Sequence, residues 1–156
     1  MTCRIAFVLF PDFQQLDLAG PLAVFEVAER YRPGSYAWRF CATQPGAVRS
    51  SAGLHWPAQG LPRADAVDLV VLSGGDGVDD MLHHDVMHRW LRRVAARGAR
   101  VASICSGSLL LAQAGLLDGR QATTHWSRTR QFQQAYPRVK LLPDRIWTHD
   151  GGVWTS

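Results

Sequence analysis

Residues 100–117, Arg-Val-Ala-Ser-Ile-Cys-Ser-Gly-Ser-Leu-Leu-Leu-Ala-Gln-Ala-Gly-Leu-Leu, constrain this chain more than any other stretch. A short apolar run ends at Cys105, passes through the small residues Ser106, Gly107 and Ser108, and continues as an Ala/Leu segment closed by Gly115. This reads as strand, sharp turn, helix. A side chain at such an elbow stands at the start of a helix, where small neighbours permit a strained turn and free N–H groups favour negative charge. The position predicts a partly exposed Cys105 thiol with a lowered pKa. The same local pattern also suits a buried structural cysteine.

The chain has 156 residues, 47% hydrophobic and 19% charged, which is ordinary for one soluble globular domain. No window approaches the roughly 20 apolar residues of a membrane span. The run from Arg4 to Phe10 is too short and wrongly flanked for a signal peptide, so a cytoplasmic location is expected. Cys3, Cys41 and Cys105 are odd in number and lack metal-type spacing, which supports neither a disulfide framework nor a metal site, and no cofactor is expected. His83, His84 and His88 are read as lying on a helix surface, with no carboxylate or cysteine at usable spacing to complete a metal set.

The net charge of +4 comes mostly from scattered arginines. Only Arg89, Arg92, Arg93 and Arg97 cluster, at helical spacing, as a solvated helix face would. No helix-turn-helix or zinc finger is visible, so these residues alone are not expected to read DNA.

Strands are predicted at Arg4–Phe10, Asp68–Ser73 and the run into the elbow, of the apolar type that suits a parallel sheet covered on both faces, and at Tyr36–Thr43 from its alternating aromatic and β-favouring residues. Helices are predicted at Leu22–Tyr31, opened by Pro21 in its first turn, at Asp79–His84, at Asp85–Arg97 and from Ser127 to about Tyr136. Ala47–Arg49 and Leu54–Trp56 read as a small hairpin flap. Short strands are predicted at Gln121–Thr124, Val139–Leu142, Ile146–His149 and Val153–Ser156. Strands alternating with helices predict a doubly wound α/β sheet, mostly parallel and flavodoxin-like, with helices on both faces. The Gly74-Gly75-Asp76-Gly77 turn after the third main strand is a typical site-forming loop. Ending in a strand, the segment is expected to continue into a further helix. The six tryptophans, Trp38, Trp56, Trp90, Trp126, Trp147 and Trp154, are assigned to core or dimer contacts.

Several stretches together resemble the ThiJ/PfpI superfamily, related to class I glutamine amidotransferases. They are Leu-Asp-Leu-Ala-Gly-Pro at 16–21, Ser-Gly-Gly-Asp-Gly at 73–77, Ser-Ile-Cys-Ser-Gly at 103–107, Ala-Gly-Leu-Leu-Asp-Gly-Arg at 114–120 and Ala-Thr-Thr-His-Trp at 122–126. Val48–Leu54, Tyr136-Pro137 and Gly-Val-Trp-Thr-Ser at 152–156 add a resemblance to the N-terminal domain of GlxA-type AraC-family regulators. That resemblance implies a ligand-sensing, dimerising domain over residues 1–156, truncated before its last helix, with a DNA-binding domain downstream. It also implies a role for Cys105, an acidic partner at Asp17, a small metabolite bound near the cysteine, and a polar residue near the site at His125.

Backbone N–H groups of Gly74, Gly75, Asp76 and Ser106 are expected to form an oxyanion hole. The peptidase-like branch has a histidine directly after the cysteine; here Ser106 stands there, which removes that Cys-His pair. The alternative is an enzyme of the isonitrile hydratase type, a cysteine-dependent hydratase or amidohydrolase. Asp17 could also be a plain turn carboxylate and His125 a structural histidine.

Overall fold

The computed structural model describes residues 1–156. The chain runs β1 (Cys3–Val8), α1 (Gln15–Tyr31), β2 (Tyr36–Ala42), β3 (Gly46–Arg49), β4 (His55–Gly60), β5 (Leu69–Leu72), α2 (Val78–Met81), α3 (Asp85–Ala96), β6 (Arg100–Ser103), α4 (Ser108–Gln113), β7 (Gln121–Ala122), α5 (Thr129–Ala135), β8 (Lys140–Leu141), β9 (Thr148–Asp150) and β10 (Val153–Thr155). An eight-stranded sheet has the order β3-β4-β2-β1-β5-β6-β10-β9, and β7 and β8 form a separate parallel pair. Its central strands are parallel, and only β3 and β9, at the two edges, run antiparallel to their neighbours. This is the predicted flavodoxin-like, mostly parallel α/β architecture.

The centre of the sheet follows from its sequence. Ile5 to Phe10 are all buried, as a parallel strand covered on both faces requires. At the start of β1, Arg4 grips Asp68 just before β5 through its backbone N–H (2.8 Å) and its guanidinium (2.8 and 2.9 Å). The order of strands reverses between β1 and β5, so the loops leaving their C-terminal ends diverge and open a crevice. Phe13 bridges this crevice, pairing with both Ser50 and Gly75, and its burial locks the loop after β1 onto the loop after β5.

Three expectations need correction. The first helix does not open at Pro21: α1 begins at Gln15 and carries Pro21 in its interior. The earlier start is possible because Gln14 N–H donates to the Gly74 carbonyl and Gln15 N–H to Ser51 Oγ, satisfying donors that helix starts otherwise leave orphaned. Asp17 thereby sits in the first turn of a helix rather than in a loop. His88 is not a surface histidine; it is 4% exposed, with Nε2 3.0 and 3.1 Å from the Met81 and Leu82 carbonyls, where it fastens α3 to the end of α2. Of the tryptophans, Trp90 is buried, but Trp126 and Trp147 are 79% and 63% exposed, which removes the core half of the assignment to core or dimer contacts for these two. The flap is a hairpin of β3 and β4, and β4 also pairs with β2, so it extends the main sheet. Arg89, Arg92, Arg93 and Arg97 are exposed, as expected of a solvated face.

The final strand is held by hydroxyls as well as by its ladder. Thr155 Oγ1 accepts the Thr123 N–H at 2.7 Å and pairs with Thr148 Oγ1 at 2.8 Å, and Ser156 N–H donates to the Ser103 carbonyl. These bonds tie the segment carrying Thr123 to His125 against the strands that deliver Cys105.

Candidate functional site

β6 ends at Ser103, and two residues later the backbone of Cys105 takes φ 59°, in the left-handed region that side chains other than glycine rarely occupy. The strand-to-helix elbow predicted from residues 100–117 is therefore present, with residues 105–107 forming a 3-10 turn before α4. The turn packs very closely on the neighbouring loop. A Cβ placed on Gly74 would lie 2.6 Å from Ser106 N and 2.9 Å from Cys105 Cβ, and one on Gly107 would lie 2.6 Å from the Ser73 carbonyl oxygen. Small residues flank the cysteine because nothing larger fits between β5 and β6 at this level.

Asp17 approaches from α1. It is 8% exposed, and one carboxylate oxygen accepts the Gly74 N–H at 2.9 Å. The carboxyl stands beside the Cys105 thiol, close enough for each group to shift the other's proton affinity. Burial pushes the Asp17 carboxyl up, against the opposing pull of the Gly74 N–H, of Cys105 and of the charge on His125. Burial pushes the Cys105 thiol up, the negative charge of Asp17 adds to this, and the N–H and hydroxyl of Ser106 pull the other way. The expected lowering of the thiol pKa is thus reversed. An elbow alone favours thiolate, but a half-buried sulfur beside a carboxylate does not, and α4 is only six residues long.

The expected oxyanion hole is also narrower than the sequence implied. Gly74 N–H is committed to Asp17, and Gly75 N–H donates to Ser106 Oγ at 3.1 Å. Ser106 N–H faces the Cys105 sulfur. The Asp76 N–H alone in that turn has no protein acceptor.

Gly75, Asp76, Cys105, Ser106 and His125 line one cavity of about 220 Å³, whereas Gly74 and Asp17 lie behind its wall. His125 Nδ1 is 2.7 Å from Ser127 Oγ, which fixes the ring at the cavity edge. The cavity has four further lining residues that sequence reasoning missed: Gln14, Ser51, Ser127 and Arg128. Ser51 Oγ donates to Gln14 Oε1 at 2.6 Å, which joins the hairpin turn to the loop after β1. No local pattern marks these residues; only the bridging of Phe13 and the packing of the 126–128 turn bring them in. No group of three or more His, Cys, Asp or Glu side chains is placed to hold a metal ion.

The arrangement offers a thiol, an adjacent carboxyl able to exchange its proton, and a small, mostly polar chamber. It suits capture of a small polar molecule at sulfur.

The sequence model of the DJ-1/PfpI family matches residues 3–156. The chain is 34% identical to isonitrile hydratase of Pseudomonas putida, a match covering 100% of this chain and 65% of that protein. It is 31% identical to the HTH-type transcriptional regulator CdhR of Pseudomonas aeruginosa, over 96% of this chain but 44% of the regulator. Among solved structures, an AraC family transcriptional regulator from Pseudomonas putida has the same fold, with a TM-score of 0.87 and 24% identity over 99% of this chain and 83% of that one. The chain therefore spans less than two thirds of the length of both of these sequence relatives.

Proposed function

Because the chain belongs to the DJ-1/PfpI family, we propose that it is the ligand-sensing and pairing module of an AraC-family transcriptional regulator, taking a small metabolite beside Cys105. Binding to DNA would then fall to a helix-turn-helix domain following these residues, as the share of regulator CdhR that the chain matches allows. The observation that carries the reading is a strained, half-buried cysteine at the wall of a small, mostly polar cavity, with Ser106 rather than a histidine directly after it. No helix is long and apolar enough to cross a membrane.

A face of α1 supports pairing with a second copy. Leu16, Val24, Val27 and Tyr31 are 71%, 66%, 45% and 88% exposed, and at helical spacing they fall on one side, opposite the buried Leu18. Val24→Glu is expected to convert a dimer into a monomer in sedimentation velocity with an unchanged circular dichroism spectrum. A wild-type chain that sediments as a monomer at all concentrations would remove the pairing.

A second reading is favoured by the Asp17–Cys105 pair and by the relative named isonitrile hydratase. The thiol would add across the isonitrile carbon, its proton passing by way of Asp17, to give a thioimidate. Water would then add to the C=N carbon, and the C–S bond would break to release a formamide and restore the thiol. Full-length protein and its Cys105→Ala variant decide between the two. Under the regulator reading the full-length protein shifts a DNA fragment from upstream of its own gene and does not consume cyclohexyl isocyanide. Turnover of the isonitrile on the order of one per second or faster, lost in Cys105→Ala, would establish the hydratase and end the regulator reading.

A further inference from the structure

Arg128 is the one Lys or Arg side chain lining the Cys105 cavity. Its side chain is only 24% exposed, and its guanidinium is held by Asp79 Oδ2 at 2.6 Å and Gln131 Oε1 at 2.8 Å. These two bonds engage two of its five N–H donors and fix the plane of the fork. Asp76 lines the same cavity, and its N–H has no protein acceptor.

We propose that Arg128 is the anion-recognising residue of this cavity, and that its ligand is a small monocarboxylate whose other end meets the Cys105 sulfur. This rests on the reading that Cys105 faces its ligand. The charge pattern selects a monoanion. Asp76 lines the cavity, Asp17 lies behind its wall and Asp79 already neutralises part of the guanidinium, so a phosphate dianion would face one lining carboxylate with only a shared cation to balance two charges. A carboxylate needs only a planar fork, with room for a second donor such as the Asp76 N–H. A volume of about 220 Å³ holds roughly seven waters' share of liquid, so the part of the ligand held inside is compact.

The test uses two nearly isosteric thiol reagents, iodoacetate and iodoacetamide, on the native protein, with modification of Cys105 followed by peptide mass spectrometry. In both reactions the sulfur displaces iodide, a C–S bond replaces the C–I bond, and the thiol proton is released; the reagents differ in one negative charge. The iodoacetate-to-iodoacetamide rate ratio at Cys105, relative to the ratio in the denatured chain, is expected to be raised about fivefold or more. Arg128→Gln should bring it down to the denatured value, and Arg128→Lys should restore it in part. A wild-type ratio at or below the denatured one, or a raised ratio that survives Arg128→Gln, overturns the assignment of Arg128. Failure of both reagents to reach Cys105 while the partly exposed Cys3 reacts overturns the ligand-facing cysteine itself, and the assignment with it.

Discussion

Gly107→Ala is expected to destabilise the protein by about 3 kcal/mol, and so to lower its melting temperature by roughly 6–12 °C. Gly107 is buried in the elbow turn, and its φ is an ordinary −59°, so a methyl group there meets no backbone strain of its own. The cost comes from what it meets: the Ser73 carbonyl oxygen at 2.6 Å and the Leu72 carbonyl oxygen at 3.0 Å. Leu72 ends β5 and Ser73 follows it, and this backbone at the centre of the sheet cannot yield as a flexible side chain would. Either β5 and β6 separate at their C-terminal ends or the 3-10 turn shifts, and the second course also moves Cys105. Loss of Cys105 reactivity should therefore accompany the fall in stability. Gly20→Ala is the control. Gly20 lies in α1 with no atom beyond its chain neighbours within 4 Å of the added carbon, so the change there meets only the restriction that Pro21 places on the residue before it and should shift stability by about 1 kcal/mol or less. Thermal melts of both variants check the pair; equal effects would show that close packing at the elbow is not what requires glycine.

The same elbow illustrates what the sequence could convey. Its strand, turn and helix are written in neighbouring residues, because a short apolar run, three small residues and an Ala/Leu segment each have a local preference that agrees with the fold. β1 and β5 are legible for a similar reason, being continuous apolar runs of strand length bounded by turns. The start of α1 is not legible, since the groups that satisfy its first N–H donors, Gly74 O and Ser51 Oγ, come from other loops, and Pro21 gives a stronger local signal for a start. Arg128 is hidden in the same way: it lies 23 positions beyond Cys105 in a turn without a motif, and only tertiary packing places it in the cavity. The nearness of Asp17 to Cys105 was readable only through family resemblance. The electrostatics of that pair could not be read at all, because desolvation depends on what covers the sulfur and not on what precedes or follows it.

Asp17→Asn is expected to move the pH midpoint of Cys105 alkylation by iodoacetamide downward, with faster alkylation at neutral pH. Asparagine keeps the shape of the side chain and an oxygen for the Gly74 N–H, so the substitution removes the charge with little else. In the wild-type protein the thiol is pushed up by burial first and by the negative charge of Asp17 second, with Ser106 opposing both. Removing the second cause leaves burial and Ser106, and the thiolate becomes easier to form at every pH where Asp17 is ionised. Stability should change in a linked way. The Asp17 carboxyl is raised in the folded protein, so its contribution is fully present below the ordinary aspartate pKa and is lost as pH rises through the folded value. Wild-type protein pays this loss on going from acid to neutral solution and the asparagine variant does not. The difference in melting temperature between them should therefore widen from acid to neutral pH, in favour of the variant. Because the two groups titrate as a pair, the reactivity midpoint belongs to both and not to the thiol alone. An alkylation profile that is unmoved in Asp17→Asn, together with a pH-independent difference in melting temperature, would mean that Asp17 does not share its proton with Cys105. The thiol would then lack the adjacent base on which the hydratase reading depends, while ligand capture at the cavity could proceed without it.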